Sequence, residues 1–177
     1  EVVGIDATPA FVDEARSLGL EAFVGDMREL VPAAPMDVVT SLFSAVGHMA
    51  TGDDLDRAIA SMASCLVPGG VLVVEPWFTP DQWREGEHGV EVADGDGEIL
   101  VRANRSGRAG DRSVLEFAWT HVDANGITRM DEELQLTLFE RERYRTAFER
   151  AGLDDIAFDP SGCNGDGRGL WIASRPA

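Results

Sequence analysis

Glu1-Val-Val-Gly-Ile-Asp6 is a short apolar run that ends in an acid, and Ala22-Phe-Val24 followed by Gly25-Asp26 repeats the arrangement one turn of the chain later. Continuous apolar runs of this length predict buried strands of a parallel sheet, here over residues 1–6 and 22–24. Between them Thr8 and Pro9 supply an N-cap and a first helical residue, Phe11, Ala15 and Leu18 form one apolar face, and Gly19 is a stop. The same grammar continues. Residues 36–42 predict a third strand, and Asp53 opens a helix with Leu55, Ile59, Met62 and Leu66 on one side. Pro68-Gly69-Gly70 ends that helix, and residues 71–75 form a fourth strand. Strands alternating with helices of this length specify an α/β fold with a mostly parallel sheet.

The middle of the chain reads differently. Residues 98–104, 113–123 and 127–139 alternate apolar and polar side chains between Gly-, Asp- and Asn-rich turns, and Asn125-Gly126 is a hairpin signal. This predicts an antiparallel sheet inserted into the α/β frame. The frame resumes with a helix over 140–151 carrying Tyr144, Phe148 and Ala151, stopped by Gly152, and with strands at 154–158 and 169–173. The expected organisation is one structural domain: a Rossmann-like frame over 1–89, the β insert over 90–139 and the return of the frame over 140–177.

The chain has 177 residues and a formal net charge of −17, with no Lys, so its positive side chains are all Arg. Such a surface repels polyanions, which excludes nucleic acid and anionic membrane as expected partners. No apolar run reaches the roughly 20 residues of a membrane span. Cys65 and Cys163 have no metal-ligand spacing and are expected to be free thiols. His48, His88 and His121 make no zinc pattern, so no metal site is expected.

An acid closing the first strand suits a ribose, whose two hydroxyls a carboxylate accepts at the C-terminal edge of such a sheet. Asp6 alone serves a nicotinamide dehydrogenase equally well, and a surface or capping Asp is the ordinary alternative. Asp26 at the end of the next strand narrows the choice, because a second acid can accept from an adenine amino group while the Met27 backbone amide meets a ring nitrogen.

Val2-Val-Gly-Ile-Asp6, Gly25-Asp26-Met27-Arg28, Asp37-Val-Val-Thr-Ser-Leu-Phe-Ser44 and Leu66-Val-Pro-Gly-Gly-Val-Leu72 resemble successive motifs of the class I S-adenosylmethionine-dependent methyltransferases. The chain is similar, more narrowly, to the N,N-dimethyltransferases that act on nucleotide-linked amino sugars in macrolide antibiotic pathways. That likeness is carried by Leu42-Phe-Ser-Ala-Val-Gly-His48, Val73-Val-Glu-Pro-Trp77, Leu136-Thr-Leu-Phe139, Tyr144, Phe148-Glu-Arg-Ala-Gly-Leu153 and Gly167-Arg168-Gly-Leu170. The resemblance implies that S-adenosyl-L-methionine is the cofactor. Asp6, with Ala7 beside it, would hold its ribose, Asp26 and Met27 its adenine, and Leu42, Phe43 and Ser44 would wall it. His48 would face the substrate amine as the catalytic base, since imidazole is suited by type to take a proton near neutrality. Trp77 and Arg168 would shape the substrate side, Arg168 at the diphosphate. The ordinary roles competing with these are core packing for Trp77, a solvated loop charge for Arg168 and a backbone-bonded histidine for His48.

The family's first strand and glycine-rich loop have no counterpart: no Gly-x-Gly follows a strand and opens a helix. The sequence is therefore expected to start inside the fold, as a class I methyltransferase sheet truncated at its N-terminus. The stretch 162–167 is also longer than the family pattern suggests. The resemblance implies a cytoplasmic enzyme and allows a homodimer. The alternatives left open are a methyltransferase for another small amine or hydroxyl, a nicotinamide dehydrogenase, and a non-catalytic fragment.

Overall fold

The computed structural model describes residues 2–31, 34–162 and 167–177; Cys163 lies outside them. Chain contacts divide it into two compact units, residues 1–76 with 141–177, and residues 77–140.

The first unit carries the α/β elements. β1 (Val3–Asp6) pairs in parallel with β2 (Glu21–Val24) through the helix α1 (Pro9–Ser17), as expected, but the strands are not buried: Ile5, Phe23 and Val24 are exposed and Ala22 is the buried residue of β2. Thr8 takes the N-cap position without a side-chain cap bond. The face of α1 differs from expectation: Val12 is buried, while Phe11 and Leu18 are exposed. α1 packs on a sheet of two strands, which is wide enough to cover one row of side chains.

β3 (Met36–Ser41) pairs in parallel with β4 (Leu66–Val74), joined through α2 (Gly52–Ser64). Thr51 caps α2 by accepting the Asp54 N–H. Leu66 was expected on the helix, with Pro68-Gly69-Gly70 as its stop. The helix instead closes at Cys65, and Pro68-Gly69-Gly70 lies inside β4, where the register against β3 shifts between Met36 and Val38. Turn residues that read as a boundary are absorbed as a bulge. The order is β3-β4-β10-β9, and β10 (Leu170–Ser174) runs antiparallel to both its neighbours, β4 and β9 (Asp154–Asp159). So β3, β4 and β9 share one direction and β10 alone is reversed, which keeps the sheet mostly parallel as expected. Leu55, Ala58, Ile59 and Met62 of α2, and Tyr144, Ala147 and Phe148 of α3 (Arg141–Arg150), are buried. Trp171 of β10 is fully buried among Tyr144, Phe148 and Phe158, whose ring centroids lie 6.4, 5.8 and 5.0 Å away.

The second unit is a four-stranded antiparallel meander of β5 (His88–Gly95), β6 (Glu98–Ala109), β7 (Arg112–Asp123) and β8 (Gly126–Thr137). Three of its strands are legible in the sequence, and β5 is not. All eight β5 residues are exposed, and its apolar alternation is limited to Val90-Glu91-Val92, too short to announce a half-buried strand. Its signal was the Asp96-Gly97 turn, both residues at positive φ, which closes the β5–β6 hairpin. The β7–β8 hairpin turns on Ala124-Asn125, with the Asp123 carboxylate accepting the Asn125 and Gly126 N–H groups. The Asx bonds, rather than an Asn-Gly pair, make that turn. The unit begins earlier than the expected residue 90. The Trp77 indole N–H donates to Ser113 Oγ at 2.8 Å, Trp83 donates to the Gly107 carbonyl, and Gly86 N–H to Ser106, which ties 77–87 to the meander.

Candidate active site

All but two of the expected site residues, Trp77 and Arg168, lie at or just beyond the C-terminal ends of parallel strands in the first unit, the edge where ligands bind open α/β sheets. At the first pair of strand ends, Asp6 is opposite Val24 and the Gly25 N–H donates to the Asp6 carbonyl at 3.0 Å. A Cβ on Gly25 would lie 2.8 Å from Ile5 Cγ2, so a side chain there would require the exposed Ile5 side chain to shift. Asp6 Oδ1 accepts the Thr8 N–H at 2.7 Å, which orients the exposed carboxylate. Asp26 Oδ1 accepts the Arg28 N–H at 2.9 Å, and both carboxylate oxygens accept Arg28 Nε at 3.0 Å. Those side-chain bonds first, and the backbone bond next, hold the Asp26 carboxyl down from 3.8 to about 2. Asp26 is thus an ionised acceptor. Arg28 also donates to Asp54 at 3.0 Å, which ties the Asp26 turn to the start of α2; its own proton is held the more tightly by Asp26 and Asp54. Two oriented, solvent-facing acids at consecutive strand ends fit the hydroxyl and amino donors of an adenosine group. Ala7 and Met27 stand beside them in the chain, both exposed to some degree.

At the second pair of strand ends the environment is buried. The Glu75 N–H donates to the Ser41 carbonyl at 2.8 Å, continuing the β3–β4 pairing one residue past β4. Beyond Ser41, Leu42 and Phe43 are exposed, and Ser44 is 1% exposed. Phe43 and Ser44 both sit in the left-handed region, at φ 51° and 59°. For residues with a Cβ this costs roughly 1–3 kcal/mol each and persists where surrounding structure over-determines it. The Phe43 N–H donates to Glu75 Oε2 at 2.8 Å, Ser44 Oγ donates to the Pro76 carbonyl at 2.7 Å, and Arg168 Nη1 donates to Ser44 Oγ at 2.5 Å. Arg168 Nη2 and Glu75 Oε1 form an ion pair at 2.8 Å, with side chains 12% and 4% exposed. The chain then enters a 3-10 turn, Ala45–His48, that leaves His48 exposed.

The structure brings Leu42, Phe43, Ser44 and Arg168 together and sets His48 one turn on. It places Trp77 in the second unit, half-buried and bonded to Ser113. Arg168 was expected to be turned toward a diphosphate; both its terminal nitrogens are engaged within the protein. Sequence reasoning assigned no role to Arg28 or Glu75. Glu75 had a visible signal, since it closes an apolar run as Asp6 does. Its partners come from distant parts of the chain. Among the described residues, no group of three or more His, Cys, Asp or Glu side chains could hold a metal ion, and no helix is long and apolar enough to cross a membrane.

This arrangement has close relatives. The chain is 34% identical over 173 residues to the dTDP-3-amino-3,6-dideoxy-alpha-D-glucopyranose N,N-dimethyltransferase of Streptomyces fradiae, covering 96% of this chain and 67% of that protein. The chain belongs to the S-adenosylmethionine-dependent methyltransferases. A methyltransferase-domain family matches residues 1–70 of the enzyme. The dTDP-3-amino-3,4,6-trideoxy-alpha-D-glucopyranose N,N-dimethyltransferase of Streptomyces venezuelae is 33% identical over 97% of the enzyme and 73% of its own length. The S-adenosylmethionine-bound structure of CalS10, an amino pentose methyltransferase from Micromonospora echinaspora involved in calicheamicin biosynthesis, superposes with a TM-score of 0.88. It is 36% identical, over 99% of the enzyme and 74% of that chain. The enzyme therefore has the class I methyltransferase fold and uses S-adenosyl-L-methionine, and the dehydrogenase and non-catalytic alternatives fall away.

Proposed function

We propose that this methyltransferase methylates the amine of a nucleotide-diphosphate-linked amino sugar. One observation carries the reading: the general methyltransferase family matches residues 1–70, whereas the amino-sugar N,N-dimethyltransferases match 96–97% of the chain, the antiparallel unit included. The likeness thus extends past the cofactor frame into the parts that differ between methyltransferases.

The cofactor supplies an electrophilic methyl group on a sulfonium. The residues of the chain do the rest by placement and proton handling, and placement alone is worth several kcal/mol of barrier. Asp6 and Asp26 accept from the ribose and adenine, with Ala7 and Met27 alongside, and Leu42, Phe43 and Ser44 border the methyl-transfer region. An amine protonated near neutrality has no lone pair to offer. His48 is exposed and lies beyond the end of β3, and in this reading it takes that proton at an imidazole nitrogen and passes it to water. Trp77 is the candidate for one side of the sugar pocket. The diphosphate role for Arg168 stands against its internal ion pair, and substitution of Arg168 beside Glu75 separates the two. We place the enzyme in the cytoplasm, acting without nucleic acid or membrane, in an arrangement that allows a homodimer.

The test is methyl transfer from S-adenosylmethionine to dTDP-3-amino-3,6-dideoxyglucose, detected by mass spectrometry, beside the same sugar without its nucleotide. Methylation confined to the nucleotide sugar supports the reading. Tight S-adenosylhomocysteine binding with transfer only to a different amine or to a hydroxyl would overturn it.

A further inference from the structure

Phe43 and Ser44 are the central residues of a turn that the Ala45 N–H closes on the Leu42 carbonyl at 3.3 Å, and both sit at positive φ, where a residue with a Cβ is strained. The Phe43 side chain is 82% exposed, so its own packing does not impose φ 51°. Ser44 stands at the N-cap of the 3-10 turn but makes no capping bond there. The further bonds that brace this turn come from residues just past β4 and from the loop before β10. Glu75 accepts the Phe43 N–H, while Ser44 Oγ gives its proton to the Pro76 carbonyl and accepts from Arg168. Glu75 and Arg168 complete the ring by pairing with each other in a nearly dry environment. Withdrawing a carboxylate and a guanidinium from water is costly, and such a pair is weak as a source of stability. Here it specifies geometry: the same two charges hold both left-handed residues.

We propose that Glu75 is a positioning residue for methyl transfer, latched to Arg168, and that this latch fixes the Phe43–Ser44 turn and hence the cofactor wall and the start of the turn bearing His48. Both Glu75 oxygens are bonded, one to Arg168 and one to Phe43, so it acts through its partners. The proposal rests on reading this strand edge as the methyl-transfer site. Hydrogen exchange reads the latch without cofactor or substrate, so a failed substrate assignment leaves that result standing.

The experiment compares Glu75→Gln, Arg168→Gln, Arg168→Lys and the double variant E75Q/R168Q in the full chain. The double variant strands no buried charge, which protects folding where a single variant is unstable. Three quantities are read: amide exchange at Phe43 and Ser44, S-adenosylhomocysteine affinity, and kcat and KM with dTDP-3-amino-3,6-dideoxyglucose. We expect faster exchange at Phe43 in both Gln variants and kcat lowered about 10²-fold, the scale of a small misplacement at a reacting centre. KM for the sugar should move less than kcat, the double variant should lose no more than either single one, and Arg168→Lys should recover part of the rate. Unchanged Phe43 exchange in Glu75→Gln overturns the latch. So does a raised sugar KM confined to the Arg168 variants with Glu75→Gln near wild type, which would give Arg168 to the diphosphate.

Discussion

The two acid-bearing pairs of strand ends in the first unit use the same residue chemistry in opposite surroundings. After β1 and β2, Asp6 and Asp26 face solvent and are held by neighbours two residues away, Thr8 and Arg28. After β4, Glu75 is buried and is held by Phe43 and Arg168, distant in sequence. An exposed Asp–Arg pair gains little net energy, because water screens it and the side chains lose freedom. A buried pair contributes little when intact but is expensive to break, because one charge is left in a dry site. The first kind of site leaves its carboxylates available to a ligand, and the second spends its carboxylate on shape.

That contrast can be broken most severely through the residue that the second site presents. His48→Asn should leave S-adenosylhomocysteine affinity intact and lower kcat by roughly 10²–10⁴-fold if it is the general base. The pH–rate profile decides: a small loss recovered at high pH, where the amine deprotonates unaided, makes His48 a substrate-positioning residue instead.

Next in size is Glu75→Ala. Leaving Arg168 buried without its partner should lower unfolding free energy by about 3–5 kcal/mol, measured by denaturant titration. The double variant E75Q/R168Q should lose far less. Equal losses in the two would mean that the charges are not what the buried site depends on.

Asp6→Ala should weaken S-adenosylmethionine binding by roughly 1–3 kcal/mol, the range for losing a charged hydrogen-bond partner, without a large change in stability. Calorimetry showing wild-type affinity would remove Asp6 from the site. Asp26→Ala should act in the same direction and more mildly, since adenine also contacts apolar neighbours.

The smallest effect comes from pH. The Asp26 carboxyl is held below its ordinary 3.8, at about 2, by Arg28. A depressed carboxylate contributes stability that is fully present above its unfolded value and lost as pH falls through the folded one. Its contribution should therefore fade between about pH 4 and pH 2 and shrink in Arg28→Ala, which keeps only the backbone bond to Asp26. Because both side chains are more than a third exposed, the change should be a slight shift in the acid limb of thermal melts and should shrink with salt. A salt-insensitive shift would show that Asp26 is more shielded than its neighbours suggest.

Much of the cofactor side was legible in the chain itself. Val3–Asp6 and Glu21–Val24 are apolar runs ending beside an acid, and their pairing survives into the structure because parallel strands bring the residues at and just beyond their ends to one edge, although Ile5, Phe23 and Val24 stay exposed. The 3.6-residue spacing of Leu55, Ile59 and Met62 likewise located α2 and its buried face. Leu66 misled because Pro-Gly-Gly is a stop by local chemistry, yet pairing with β3 absorbed it as a bulge. β5 was missed because its apolar alternation is confined to Val90-Glu91-Val92, and its cross-strand pair, Glu91 with Arg102 of β6, joins residues that are not neighbours in sequence.

What the sequence alone determined is the order of elements, the strand ends that bear Asp6, Asp26 and the Leu42–Ser44 stretch, and an acidic surface unsuited to polyanions. Tertiary structure decided what Glu75, Ser44 and Arg168 do: a charge closing an apolar run reads the same whether it meets water or an arginine contributed by a distant loop. Burial sets that choice, and burial is a property of what packs around a residue, which spacing along a chain does not encode.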